Sequence, residues 1–190
     1  MNLMTLAVVG VIFMVSLGSG SAESTTRPPL RTVNSVDLSR YTGTWYEIAR
    51  YPNRFQRDCQ SDTTAEYTLR KDGKVQVVNS CRQKDGKAKT ARGTAKIADK
   101  TTNAKLRVTF FWPFYGDYWV IGLDSDYRYA IVGEPKRKYL WILSRTPEMD
   151  GTTYEQIVEQ IRAASYDPEK LIKTRQSPRS GQPAARSLSN

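Results

Sequence analysis

An all-β fold is the class this sequence predicts: an eight-stranded up-and-down antiparallel β-barrel with one C-terminal α-helix packed on its outside. Three observations predict it. Eight short runs rich in β-branched and aromatic residues follow one another, divided by turn residues. Lys71-Asp72-Gly73-Lys74 and Lys84-Asp85-Gly86-Lys87 place Asp-Gly pairs where tight hairpins belong. Only one late stretch carries apolar residues at helical spacing. Consecutive strands joined by short turns close simply into a barrel, which removes exposed edges, and eight strands leave room for one small ligand.

The elements follow in order. Residues 1–22 read as a secretory leader, with an apolar stretch from Met4 to Leu17 and small residues Gly20 and Ala22 set for cleavage after Ala22. The stretch is short for a membrane span, although an uncleaved anchor is the alternative, since the leader lacks Lys and Arg. It has no Cys at the cleavage point, so no lipoprotein acylation is expected there. The chain is therefore expected to be exported, to a periplasm, the periphery of an outer membrane, or the outside. Residues 23–36 form an extended arm and 37–176 the barrel domain. Strands are expected at 43–51, 61–70, 74–83, 88–98, 104–111, 117–124, 128–133 and 138–146. Thr152 or Thr153 caps a helix whose apolar stripe is Tyr154, Ile157, Val158 and Ile161, and Asp167-Pro168 ends it. Residues 177–190, rich in Ser, Pro and Arg, are expected to be a disordered basic tail.

Composition narrows the chemistry. At 190 residues the chain suits one domain. It has no His, which removes the usual general base and the commonest metal ligand, and weakens haem or bilin carriage. No cofactor and no metal are expected. The net charge of +10 raises nucleic acid as a partner, but no recognition helix or ribonucleoprotein motif accompanies it. A solvated basic surface or an anionic lipid surface remains.

Tyr41-Thr42-Gly43-Thr44-Trp45-Tyr46-Glu47-Ile48 resembles the Gly-x-Trp signature of the lipocalins. Leu123-Asp124 with Tyr127-Arg128-Tyr129-Ala130 resembles the second conserved region, with one extra residue, and Trp141-Ile142-Leu143-Ser144-Arg145-Thr146-Pro147 resembles the third. Trp45 to Tyr51 and Val108 to Gly116 look like the branch of bacterial outer-membrane lipocalins and apolipoprotein D. The resemblance implies an open calyx, a Gly43–Trp45 plug at its closed end, Arg145 laid across Trp45, and, in this branch, a possible homodimer.

Alternation along strands assigns the lining. With Trp45 inward, Glu47 and Ala49 follow. Ala65 and Tyr67 share a face with Leu69; Val75, Val77 and Asn79 face in; so do Leu106, Val108 and Phe110. The strand after Gly116 is apolar on both faces, and Trp119 and Ile121 are taken as inward. Arg145 inward implies Tyr139, Trp141 and Leu143 inward. Cys59 and Cys81 share the inward parity and can meet near one end of their hairpin, as a disulfide in an oxidising compartment; the alternative is two unpaired thiols.

Loops alternate between ends. The mouth segments 51–58, 82–87, 112–117 and 133–138 hold eight cations and four carboxylates, whereas the floor segments balance. Rim aromatics Phe55, Trp112 and Phe114 interleave with Arg54, Lys136 and Arg137, a mixture suited to a bilayer interface or an anionic head group. The expected partner is a fatty acid, a lysophospholipid or another lipophilic ligand, tail inward and head at the rim. The rivals are a filled barrel acting through its basic rim on membrane or polyanion, and an isomerase or redox enzyme using Glu47, the one lumen carboxylate that alternation places.

Overall fold

The computed structural model describes residues 27–177. The leader assigned to 1–22 and all but the first residue of the tail assigned to 177–190 lie outside them. A short helix, α1 (Leu38–Tyr41), is followed by β1 (Gly43–Arg50), β2 (Cys59–Leu69), β3 (Val75–Gln83) and β4 (Ala88–Ile97). Then come β5 (Lys105–Phe111), β6 (Phe114–Leu123), β7 (Tyr129–Gly133), β8 (Leu140–Ser144), helix α2 (Gly151–Ala163) and a short β9 (Ile172–Lys173). From β1 to β8 each strand pairs antiparallel with the next, and β1 also pairs with β8, so these eight strands form a closed up-and-down barrel.

The closing seam is uneven. β1 and β2 pair directly only from Gly43↔Tyr67 to Tyr46↔Thr64. Toward the mouth they part, and the chain after α2 fills the gap: β9 pairs with Ala49 and Arg50, and the Arg175 carbonyl accepts from Asp62 N at 2.9 Å. Gln176 Nε2 then donates to the Glu47 and Thr63 carbonyls, one on each side of the seam. The sequence predicts no strand here, because two residues carry no alternation. Ser177, assigned to the tail, donates to Asp62 Oδ1 at 2.6 Å.

Two apolar layers result. Inside the barrel lie Trp45, Ala65, Tyr67, Val75, Val77, Ala95, Leu106, Val120, Ala130, Val132 and Leu143. Outside it, Ile157 and Ile161 of α2 are fully buried against Ile131, Leu140 and Ile142. The cap of α2 is Asp150, whose Oδ1 accepts from Thr153 N at 2.8 Å, so neither Thr152 nor Thr153 caps it. Ser165 at φ +61° ends the helix before Asp167-Pro168, which begins a 3-10 turn instead. Residues of the arm run over the barrel: Leu30 packs in the outer layer, Val33 N donates to the Val120 carbonyl, and Val36 sits at the floor of the inner layer.

Two expected orientations are corrected. A β-bulge between Glu47 and Ala49 reverses the parity of β1, so Ala49 pairs with Ile142 and lies in the outer layer. β6 begins at Phe114, not residue 117, and its register sets Leu106 against Tyr118 and Lys105 against Trp119. Tyr118 and Val120 therefore face inward, while Trp119 and Ile121 pack with the outer layer.

Candidate functional site

The barrel interior is built in levels. At the floor, Gly43 holds φ +91°, a conformation open to glycine, and an added Cβ there would stand 3.4 Å from Arg145 Nη1. Trp45 is fully buried and donates from Nε1 to the Tyr41 carbonyl at 2.9 Å. Arg145 lies 3.9 Å from the centre of the Trp45 ring, and its Nη1 and Nη2 donate to the carbonyls of Thr44 and Arg40. The closed end is thus a cation–π plug fastened to backbone.

Above the plug, the Tyr118 hydroxyl stands 2.9 Å from both the Tyr41 and Tyr67 hydroxyls. Burial pushes Tyr67 up to about 12 and holds Tyr41 and Tyr118 higher still, so all three stay neutral at ordinary pH. The enclosed space at this level is about 20 Å³, bounded by these rings and by Val36, Leu38, Val75, Ala95, Leu106 and Val108. That is roughly the room of one water. The lower half of the barrel is filled.

The upper half is open. On β4 and β6 the inward residues pass from buried to exposed toward the mouth, from Ala95 to Gly93 to Ala91 and from Val120 to Tyr118 to Gly116, whereas on β3 Asn79 is half-buried and Cys81 beyond it is buried. Ala91 and Gly116 face the axis yet are exposed. The interior is therefore open to solvent at the mouth end of β4 and β6. Among the expected lining residues, Ala65, Tyr67, Val77 and Leu106 are buried in the inner layer, and Val108 and Trp141 border it. Asn79 pairs between Ala65 and Ala91. Phe110, 37 % exposed, lies over Gly93, where an added Cβ would come within 2.9 Å of its ring. Tyr139 stacks on Trp141 with ring centres 5.9 Å apart, and Phe55 stands 5.6 Å from Tyr139, an aromatic ladder from rim to cup. Trp119 and Ile121 are not in the lumen. Tyr118, Ala91, Gly93 and Ala95 were missed; the alternation of β4 is masked by small residues, and Tyr118 was lost with the start of β6.

The lumen carboxylate is tied up. Glu47 is buried and accepts from Gln56 Nε2 and Thr174 Oγ1, with Arg50 Nε at 3.2 Å. Burial pushes its carboxyl above the ordinary value. Gln56 in turn accepts from Trp141 Nε1 at 2.9 Å and Asn53 Nδ2 at 2.8 Å. The network locks the 3-10 turn Arg54–Gln56 over one side of the cup. Cys59 and Cys81 are joined in a disulfide at the mouth end of the β2–β3 hairpin.

At the rim, Phe111, Trp112 and Phe114 at the β5–β6 hairpin tip are 80 %, 81 % and 77 % exposed. Arg54 and Lys136 are exposed beside the mouth. Arg137 is not free for a head group: its Nε donates to the Ala164 carbonyl and its Nη2 to the Pro28 carbonyl, fixing arm and helix to the outer wall.

Comparison with known proteins agrees with this architecture. A family model described as a lipocalin-like domain matches residues 36–176. Temperature-induced lipocalin-1 of Arabidopsis thaliana is 44 % identical over 161 residues, covering 80 % of this chain and 86 % of that protein. The outer membrane lipoprotein Blc of Escherichia coli (strain K12) is 43 % identical over 154 residues, with the same coverage of 80 % and 86 %. The structure of insecticyanin from the tobacco hornworm Manduca sexta superposes with a TM-score of 0.65 at 30 % identity, covering 80 % of this chain and 87 % of that one. With the family model spanning the whole barrel and these relatives covering most of its length, the chain belongs to the lipocalin family.

Proposed function

We propose that this protein binds a hydrophobic or amphipathic small molecule in the open half of the barrel and stores or carries it, as a binding protein and not an enzyme. The observation that carries the reading is the floor-to-mouth gradient of exposure among the inward residues of β4 and β6. The favoured ligand is a fatty acid or lysophospholipid, its chain against Val77, Val108 and Trp141 and its head near Arg54 and Lys136. Burying about ten methylenes at ~0.8 kcal/mol each contributes about 8 kcal/mol. Association costs offset part of this, so affinity in the micromolar range is expected. Glu47 supports the non-enzymatic reading, because its oxygens are already engaged by Gln56, Thr174 and Arg50.

The hairpin tip supports a membrane contact that feeds the cup. Three large side chains projecting beside a basic mouth suit insertion into an anionic bilayer. The disulfide fits an oxidising, exported setting in envelope or membrane lipid maintenance. The test is quenching of tryptophan fluorescence by amphiphiles of one chain length with carboxylate, lysophosphatidyl or neutral heads. Saturable binding that favours the anionic heads is expected. Equal affinity for all would remove the head-group assignment, and no binding would remove the carrier.

A further inference from the structure

The floor of the open cup carries hydrogen-bonding groups that its own side chains do not satisfy. A tyrosine hydroxyl has one hydrogen to donate and can accept two. Tyr118 contacts Tyr41 and Tyr67, and no other partner among the described residues reaches any of the three hydroxyls. Two contacts use two hydrogens, so one is left over in surroundings that desolvate all three groups. Asn79 supplies the complement. Its Oδ1 is buried without a partner, and its amide makes no hydrogen bond among the described residues, whichever way the amide is turned. Asn79 is one inward position nearer the mouth than Val77, which pairs with Tyr67. Successive inward positions lie about 7 Å apart.

A plain alkyl chain answers neither group. A carboxylate at this depth answers the tyrosine but buries a charge where the cation of the floor, Arg145, is already committed to Trp45 and to backbone. A hydroxyl both accepts from the tyrosines and donates to Asn79; a carbonyl accepts alone. We propose that the cup selects a lipid bearing a neutral oxygen function, a hydroxyl before a carbonyl, on the buried part of its chain. The inference rests on the carrier reading and refines its ligand class.

The test uses the full chain and calorimetric titration with octadecanoic acid and a series of hydroxyoctadecanoic acids differing in hydroxyl position. One or more isomers should bind the wild type about fivefold tighter than octadecanoic acid, as one added neutral hydrogen bond allows. Within Asn79→Leu, which removes the acceptor offered to the ligand hydroxyl, the ratio between that isomer and octadecanoic acid should fall several-fold toward one, the loss of a single such bond. Octadecanoic acid bound as tightly as every isomer would overturn the proposal and leave the carrier standing; a retained water satisfying the spare hydrogen would give this result. Binding of neither class would overturn the carrier reading too.

Discussion

Arg145 lies 3.9 Å over the ring of Trp45 while its two terminal nitrogens hold the carbonyls of Thr44 and Arg40. One side chain from the end of β8 thereby covers the plug set by β1 and ties the turn of α1 to it. The guanidinium is planar and forked, and both properties are used. Arg145→Lys keeps the charge but loses the fork, and should lower unfolding free energy by about 1–2 kcal/mol, with Arg145→Ala costing about 2–3 kcal/mol. Urea denaturation checks both.

Glu47 and Asp124 should give stability opposite dependences on pH. Burial raises the Glu47 carboxyl, so its contribution is full below its ordinary value of 4.5 and is lost as pH rises through the raised one. Arg128 bonds to Asp124 at 2.8 Å and lowers it, so that contribution is present above the ordinary value of 3.8 and is lost as pH falls through the lowered one. Melting temperature against pH should therefore show Glu47→Gln gaining on the wild type as pH rises above 4.5. Asp124→Asn should converge on the wild type only in acid.

The disulfide closes a span of 22 residues between Cys59 and Cys81. Reduction, or the double substitution to Ala, should lower stability by about 3 kcal/mol through the freed unfolded chain. Paired denaturation curves with and without reductant measure it.

The hairpin tip gives a membrane prediction. Replacing Phe111, Trp112 and Phe114 together by Ser should weaken co-sedimentation with anionic vesicles about tenfold, and added salt should weaken the wild type as well. Ligand titration in solution should be unchanged, because the tip lies beyond the cup.

The eight strands and the helix were legible because their patterns are local. Alternation along Leu106 and Val108 against Lys105 and Arg107 exposes one face at sight. The same rule misassigned Trp119, since both faces of β6 are apolar: one meets the lumen and the other meets α2. Reading the β5–β6 hairpin as tight, with Leu106 across from Tyr118, would have settled it. Ala49 was lost to a bulge, which adds a residue without any compositional mark. Arg137 looked like a rim cation because sequence gives a charge no direction; its partners, Pro28 and Ala164, lie 109 and 27 residues away.

Blocking the cup from within tests the central claim most directly. Ala91 faces the axis at mouth level and is exposed, so Ala91→Trp puts a large ring into the space assigned to the ligand, and Arg92→Trp puts the same ring on the outer face. Titration with a fluorescent fatty acid should show affinity reduced about tenfold or more for the first, the loss of roughly two buried methylenes or more, and unchanged for the second. Equal affinity in both variants and the wild type would contradict binding inside the barrel.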